Sequence, residues 1–165
     1  MTGGRAGIGD QPLLASRWFA DAGASGDLGV RGASLVRLHS VVDSRGELVV
    51  GELGRGLPFS PRRFFAISRV PGKDIRGEHA HRELRQMLVC LAGSVLAEVD
   101  DGERRRAVLL DSPRVGLAVE PMVWGAQSQY SADAVLLVIA SREYDPADYI
   151  REYDAFLAAV RRKTR

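Results

Sequence analysis

The sequence predicts an all-β chain, closed into a sandwich or barrel and finished by a single C-terminal helix. Three observations carry this. Short apolar runs recur at near-regular spacing from Ser34 to Ala140 without helical patterns between them. Turn chemistry separates the runs, as in Asp43-Ser44-Arg45-Gly46, Pro71-Gly72, Gly93-Ser94 and Asp100-Asp101-Gly102. Only the stretch after Asp145 places apolar residues at helical spacing.

Residues 1–32 are rich in Gly, Ala, Ser and Asp, a composition that rarely packs. They are expected to form a flexible or accessory N-terminal arm. Within it, residues 12–19 read as a short helix that docks Trp18 and Phe19 on a neighbour. Residues 33–143 form the barrel, with strands expected at 35–38, 41–42, 48–50, 64–67, 87–91, 95–99, 107–110, 115–119, 123–124 and 134–140. Arg104-Arg105-Arg106 reads as an exposed, charged strand edge. Residues 144–165 form the helix. Asp145 suits its N-cap and Pro146 its first position. Tyr149, Ile150, Tyr153, Phe156, Leu157 and Val160 line one face. Arg161, Arg162 and Lys163 suit the negative end of the helix dipole.

The 165 residues, 45% of them hydrophobic, fit one domain with a sizeable core. Lys and Arg number 23 against 21 Asp and Glu, a balance that accepts an anionic small molecule but selects no partner alone. The arginine run lacks interleaved aromatics, so no nucleic-acid site is expected. A single cysteine, Cys90, sits in an apolar run and precludes an intrachain disulfide. With no secretory leader pattern and no apolar run of about 18 residues, a cytoplasmic protein without membrane contact is expected.

The chemistry concentrates in Arg76-Gly77-Glu78-His79-Ala80-His81, followed by Gln86 and Gly93. Two histidines two positions apart leave a strand on the same face. The pattern has the shape of a cupin metal motif, but the carboxylate position holds Gln86, a neutral amide and a poor ligand for a divalent ion. The second such segment, 116–125, contains no histidine. Glu78 or Glu83 would have to complete a ligand set, so no metal and no cofactor are expected. Imidazoles not spent on a metal are free to move protons. Arg45, Arg63 and Arg76 offer forked donors for phosphate oxygens. Trp124 suits either stacking on a ring or the core.

These residues, with Leu88, Val89, Cys90, Ser94, Leu110-Asp111-Ser112-Pro113, Gly116-Leu117, Pro121 and the run 134–141, resemble the sugar 3,4-ketoisomerases of dTDP-4-keto-6-deoxyhexoses. The tail, Tyr144-Asp145 with Asp148-Tyr149-Ile150-Arg151 and residues 153–157, is similar too. The resemblance spans about 35–157 and implies a cupin fold, a double-stranded β-helix or jelly-roll barrel. It also implies a metal-independent isomerase of deoxysugar biosynthesis that shifts the keto group from C4 to C3. His79 is then the base and His81 its proton-shuttling partner. Gln86, Trp124 and Gln127 line the sugar site, and Arg45, Arg63 and Arg76 hold the diphosphate. A homodimer exchanging an N-terminal strand is implied as well. Where many relatives carry a tyrosine before the histidine motif, this chain has Phe64-Phe65-Ala66-Ile67. Other readings are a related epimerase on another keto sugar, a non-catalytic sugar-nucleotide-binding cupin, and a metal-dependent cupin oxygenase.

Overall fold

The computed structural model describes residues 11–18 and 26–163. In chain order the first strands are β1 (Leu13–Leu14), β2 (Ala33–Arg37), β3 (His39–Asp43), β4 (Gly46–Val50) and β5 (Glu52–Leu53). Next come β6 (Gly56–Leu57), β7 (Arg63–Ser68), β8 (Arg76–His81), β9 (Gln86–Ala92) and β10 (Val95–Asp100). The last are β11 (Arg105–Leu110), β12 (Val115–Val119), β13 (Trp124–Ser128), β14 (Val135–Ala140) and β15 (Tyr149–Ile150). The helices are α1 (Ala15–Trp18) and α2 (Tyr153–Lys163).

Two sheets enclose the core. One runs β1-β11-β10-β13-β8-β15 and the other β2-β12-β9-β14-β7. Neighbours within each sheet are antiparallel except β1, which lies parallel to β11. Alternation fixes the inner faces: Leu136, Val138 and Ala140 of β14 are buried while the residues between them are half-exposed. Leu88 and Cys90 of β9 meet Val95, Ala97 and Val99 of β10 and Leu117 of β12 in one cluster. The apolar runs at regular spacing thus close into the expected jelly-roll barrel. A second hairpin, β3–β4, stands apart as its own two-stranded sheet.

Two expectations meet the structure here. The first concerns the arm, expected to be flexible or accessory. Residues 13–14 add a strand to β11, and Ser16 donates to Asp111 through both its N–H and its hydroxyl. Ala15 is fully buried, and Leu13 and Trp18 pack on the main core. Leu28 and Val30 are buried as well. These parts of 1–32 are docked on the barrel as an accessory layer; Phe19 lies outside the described residues. The docked segment pairs with β11 at Val108 and Leu109, so Arg104 and Arg105 stay exposed beyond it. Arg105 forks onto the buried Asp100 at 3.0 Å.

The second concerns the helix start. Asp145 does cap a turn, accepting the Ala147 N–H, with Pro146 following. That turn is a single 3-10 turn over Pro146–Asp148, and the chain then extends as β15. Tyr149 and Ile150 pair with His81 and Ala80, because the free backbone groups of β8 take the chain into the sheet before a helix can propagate. Helix α2 begins only at Tyr153. Its Phe156 is fully buried and packs with Ala80, Ile150, Trp124 and Leu157. No helix among the described residues is long and apolar enough to cross a membrane.

Candidate active site

The site grows from an irregularity in β8. Gly77 and Glu78 both have positive φ, 82° and 51°. The register against β13 shifts there, from Gly125 opposite His79 to Ala126 opposite Gly77. Glu78 is the extra residue of a bulge. A Cβ at Gly77 would lie 2.9 Å from the Gly125 carbonyl oxygen and 3.0 Å from the Gln127 side chain, so only glycine lets β13 approach this closely. The bulge also leaves the Gly77 carbonyl free to accept from His79 Nδ1 at 2.9 Å.

Beyond the bulge His79 and His81 share a face. Their Nε2 atoms are 3.1 Å apart and their rings stand at 90°. His81 is 5% exposed. Its Nδ1 lies 2.9 Å from Oδ2 of Asp148, itself buried, and Asp148 Oδ1 accepts the Glu83 N–H at 2.8 Å. The Gln86 amide nitrogen sits 3.3 Å from His81 Nε2. Tyr149 closes the far side, its ring 4.9 Å from that of His79 and 4.4 Å from that of His81. The Arg151 guanidinium lies over Tyr149 at 4.4 Å.

Burial dominates the electrostatics. It holds the His79 imidazolium below the ordinary range; the Gly77 carbonyl opposes this and the Arg151 charge adds to it. His81 is pushed down to about 4, first by burial and then by charge on His79, against the pull of Asp148. Arg63 adds a smaller lowering. At neutral pH the pair therefore has basic nitrogen to offer, the state needed for a proton acceptor.

Both histidines face a narrow cavity together with Gln86 and Gln127. Glu98 and Glu120 line it too. Arg63 is not among the residues that line it: its guanidinium covers the rings of Phe65 and Tyr144, and its buried Nε has no partner among the described residues. The remaining expected residues lie elsewhere. Arg76 is exposed, on β8 opposite Gln127. Arg45 is at the tip of the β3–β4 hairpin, its side chain 88% exposed and paired with Asp43. Trp124 does not line the cavity. It rests against Tyr153 and Phe156, with ring centroids 5.2 and 5.7 Å away, because β13 alternates and sends Gly125 and Gln127 inward instead. Among the described residues no cluster of three or more His, Cys, Asp or Glu side chains is arranged to hold a metal ion.

Asp148 and Tyr149 were missed by sequence reasoning. Both were assigned to a helix. The available signal was that Asp148-Tyr149-Ile150-Arg151 follows a capped Pro turn and includes β-favouring residues.

A jelly-roll barrel with paired imidazoles in its lumen defines a cupin-fold enzyme. The chain belongs to the FdtA family (WxcM-like, C-terminal), which matches residues 31–161. It is 45% identical over 122 residues to the TDP-4-oxo-6-deoxy-alpha-D-glucose-3,4-oxoisomerase of Aneurinibacillus thermoaerophilus, covering 74% of this chain and 88% of that one. It is also similar to the crystal structure of QdtA, a sugar 3,4-ketoisomerase from Thermoanaerobacterium thermosaccharolyticum, in complex with TDP. The TM-score there is 0.78 at 33% identity, covering 81% of this chain and 97% of that one. A histidine-to-asparagine mutant of QdtA in complex with TDP-4-keto-6-deoxyglucose gives a TM-score of 0.79 at 32% identity, with the same coverage.

Proposed function

We propose that this chain is a sugar-nucleotide 3,4-ketoisomerase, which shifts the keto group of a dTDP-4-keto-6-deoxyhexose from C4 to C3. The observation that carries the reading is the pair of Nε2 atoms 3.1 Å apart in the cavity of a barrel that belongs to this family. The ketone at C4 acidifies the C3 proton. The C3–H bond breaks, its electron pair forms a C3–C4 double bond, and the carbonyl pair moves to O4. A proton then bonds to C4 while O3 gives up its proton and becomes the new carbonyl, and O4 gains one. Overall one hydrogen passes from C3 to C4 and another from O3 to O4, with no change of oxidation state. His79 serves as the carbon base and His81 as its partner. Gln86 and Gln127 hold sugar oxygens. Arg63 and Arg76 attract the diphosphate by charge and fork geometry.

A homodimer with exchanged N-terminal strands fits the exposed apolar residues Val41, Val42 and Leu48 of the β3–β4 hairpin and Phe64 on the edge strand β7. Arg45 keeps a phosphate role in this reading only where its hairpin crosses to a second copy. A buried free thiol at Cys90 suits the reducing cytoplasm. The test is to incubate the protein with dTDP-4-keto-6-deoxyglucose in deuterated water and follow proton NMR. The 3-keto isomer with solvent deuterium at C4 is expected. An unchanged substrate spectrum at stoichiometric enzyme overturns the reading.

A further inference from the structure

The two imidazoles and their partners fix where each ring hydrogen must sit. Three contacts each need one hydrogen: His79 Nδ1 to the Gly77 carbonyl, His79 Nε2 to His81 Nε2, and His81 Nδ1 to the Asp148 carboxylate. A carbonyl and a carboxylate only accept, so the outer two hydrogens must sit on the rings. Two neutral imidazoles carry two hydrogens in all, and both are thereby assigned to Nδ1. The two Nε2 lone pairs are left facing each other across 3.1 Å with nothing between them. One added proton satisfies all three contacts, and a second has no place to go.

We propose that Asp148 is a positioning residue that, by holding the His81 Nδ1–H, makes His79 and His81 a store for a single proton, which loads when C3 is deprotonated, exchanges with solvent while held between the two Nε2 atoms, and unloads to C4. The deepened role rests on the ketoisomerase reading above. During uptake the C3–H bond breaks, a new N–H bond forms on Nε2, and the electron pair stays with the sugar as the enediolate. During return that N–H bond breaks and a C4–H bond forms, so the pair ends as it began. The proton resides on His79. His81 Nε2 is then the acceptor, and the Gln86 amide 3.3 Å away donates to that lone pair once the proton has left.

Asp148 is placed for this by contacts other than the imidazole. Its Oδ1 is committed to the Glu83 N–H, so Oδ2 alone faces His81. It ends the 3-10 turn that Asp145 caps, on the segment that pairs with β8. The other charged or titratable groups around the pair are Arg63 of β7, Tyr149 and Arg151 beside β15, Glu98 of β10, and Glu120, which is tied to Arg85 at 2.7 Å. None of them contacts His81 Nδ1 among the described residues.

The test combines Asp148→Asn with NMR of 15N-labelled imidazoles in the substrate-free protein. The Glu83 N–H keeps the asparagine oxygen, so the NH2 group turns to His81 Nδ1. That forces the ring hydrogen onto Nε2 and fills the store in advance, the wrong-tautomer effect familiar from other histidine–carboxylate pairs. The expected result is a fall in kcat of about 100-fold or more with KM little changed, and a His81 hydrogen moved from Nδ1 to Nε2. In the wild-type protein, which needs no variant to fold, acidification should load one proton onto the pair, on His79, before any reaches His81. Simultaneous uptake by both rings, a wild-type His81 carrying its hydrogen on Nε2, or an Asp148→Asn enzyme with unchanged kcat would each overturn the proposal. The NMR arms use no substrate, so they separate failure of the proton store from failure of the ketoisomerase reading.

Discussion

His79 and His81 present their Nε2 atoms to each other across 3.1 Å, although they are neighbours on one strand face. Same-face residues two apart ordinarily run side by side. Here the bulge at Glu78 and the anchors at Gly77 and Asp148 set the rings perpendicular. The site's chemistry therefore depends on backbone features as much as on the two side chains.

Stability should fall as the solution is acidified from neutrality. In the unfolded chain His81 titrates near 6.5, whereas in the fold it titrates at about 4. Between those values the unfolded state binds more protons, so the stabilisation is fully present above 6.5 and is lost as pH falls toward 4. The lowered His79 adds in the same direction. A loss on the order of 3 kcal/mol is expected for His81. Urea unfolding at several pH values checks this, and His81→Gln should flatten the curve.

Gly77→Ala should damage both fold and activity. The added methyl would meet the Gly125 carbonyl oxygen at 2.9 Å from a backbone at φ 82°. A cost of about 1–3 kcal/mol is expected. The displaced Gly77 carbonyl would also release His79 Nδ1. Denaturant midpoints and kcat, measured on the same preparation, should fall together.

Trp124 should matter for stability and not for ligand binding. It lies between the barrel and α2, against Tyr153 and Phe156. Trp124→Ala should lower the melting temperature, with a loss of about 3 kcal/mol or more. Trp124→Phe, which keeps most of the packing, should bind TDP as the wild type does. Calorimetric titration with TDP measures the difference.

Gln86→Glu should make the histidine pair too easily protonated. A carboxylate would replace the amide that lies 3.3 Å from His81 Nε2, favouring the imidazolium. The acid limb of the kcat–pH profile should move upward by roughly 1–2 units, with lower kcat at neutral pH.

Most of the barrel was legible because period-2 burial leaves its mark on each strand. The runs at 87–91, 95–99 and 134–140 reappear as β9, β10 and β14. The His-x-His pattern likewise survives folding, because both positions belong to one strand. What escaped are features set by distant contacts. Tyr149 and Ile150 fit a helical face as well as a strand, and only the open edge of β8 decides between them. Asp148 reaches His81 from 67 positions away, so its carboxylate could not be found by looking five positions past His81, where Gln86 stands. Trp124 was ambiguous for the opposite reason: its role depends on the phase of β13 against a helix whose start was misplaced.

The most direct measurement is solvent exchange in His79→Asn. Purified variant and wild type are each incubated with dTDP-4-keto-6-deoxyglucose in deuterated water, with TDP affinity measured in parallel. The account predicts deuterium at product C4 for the wild type, none for the variant, and TDP binding retained in both. Exchange at the wild-type rate in His79→Asn would contradict it.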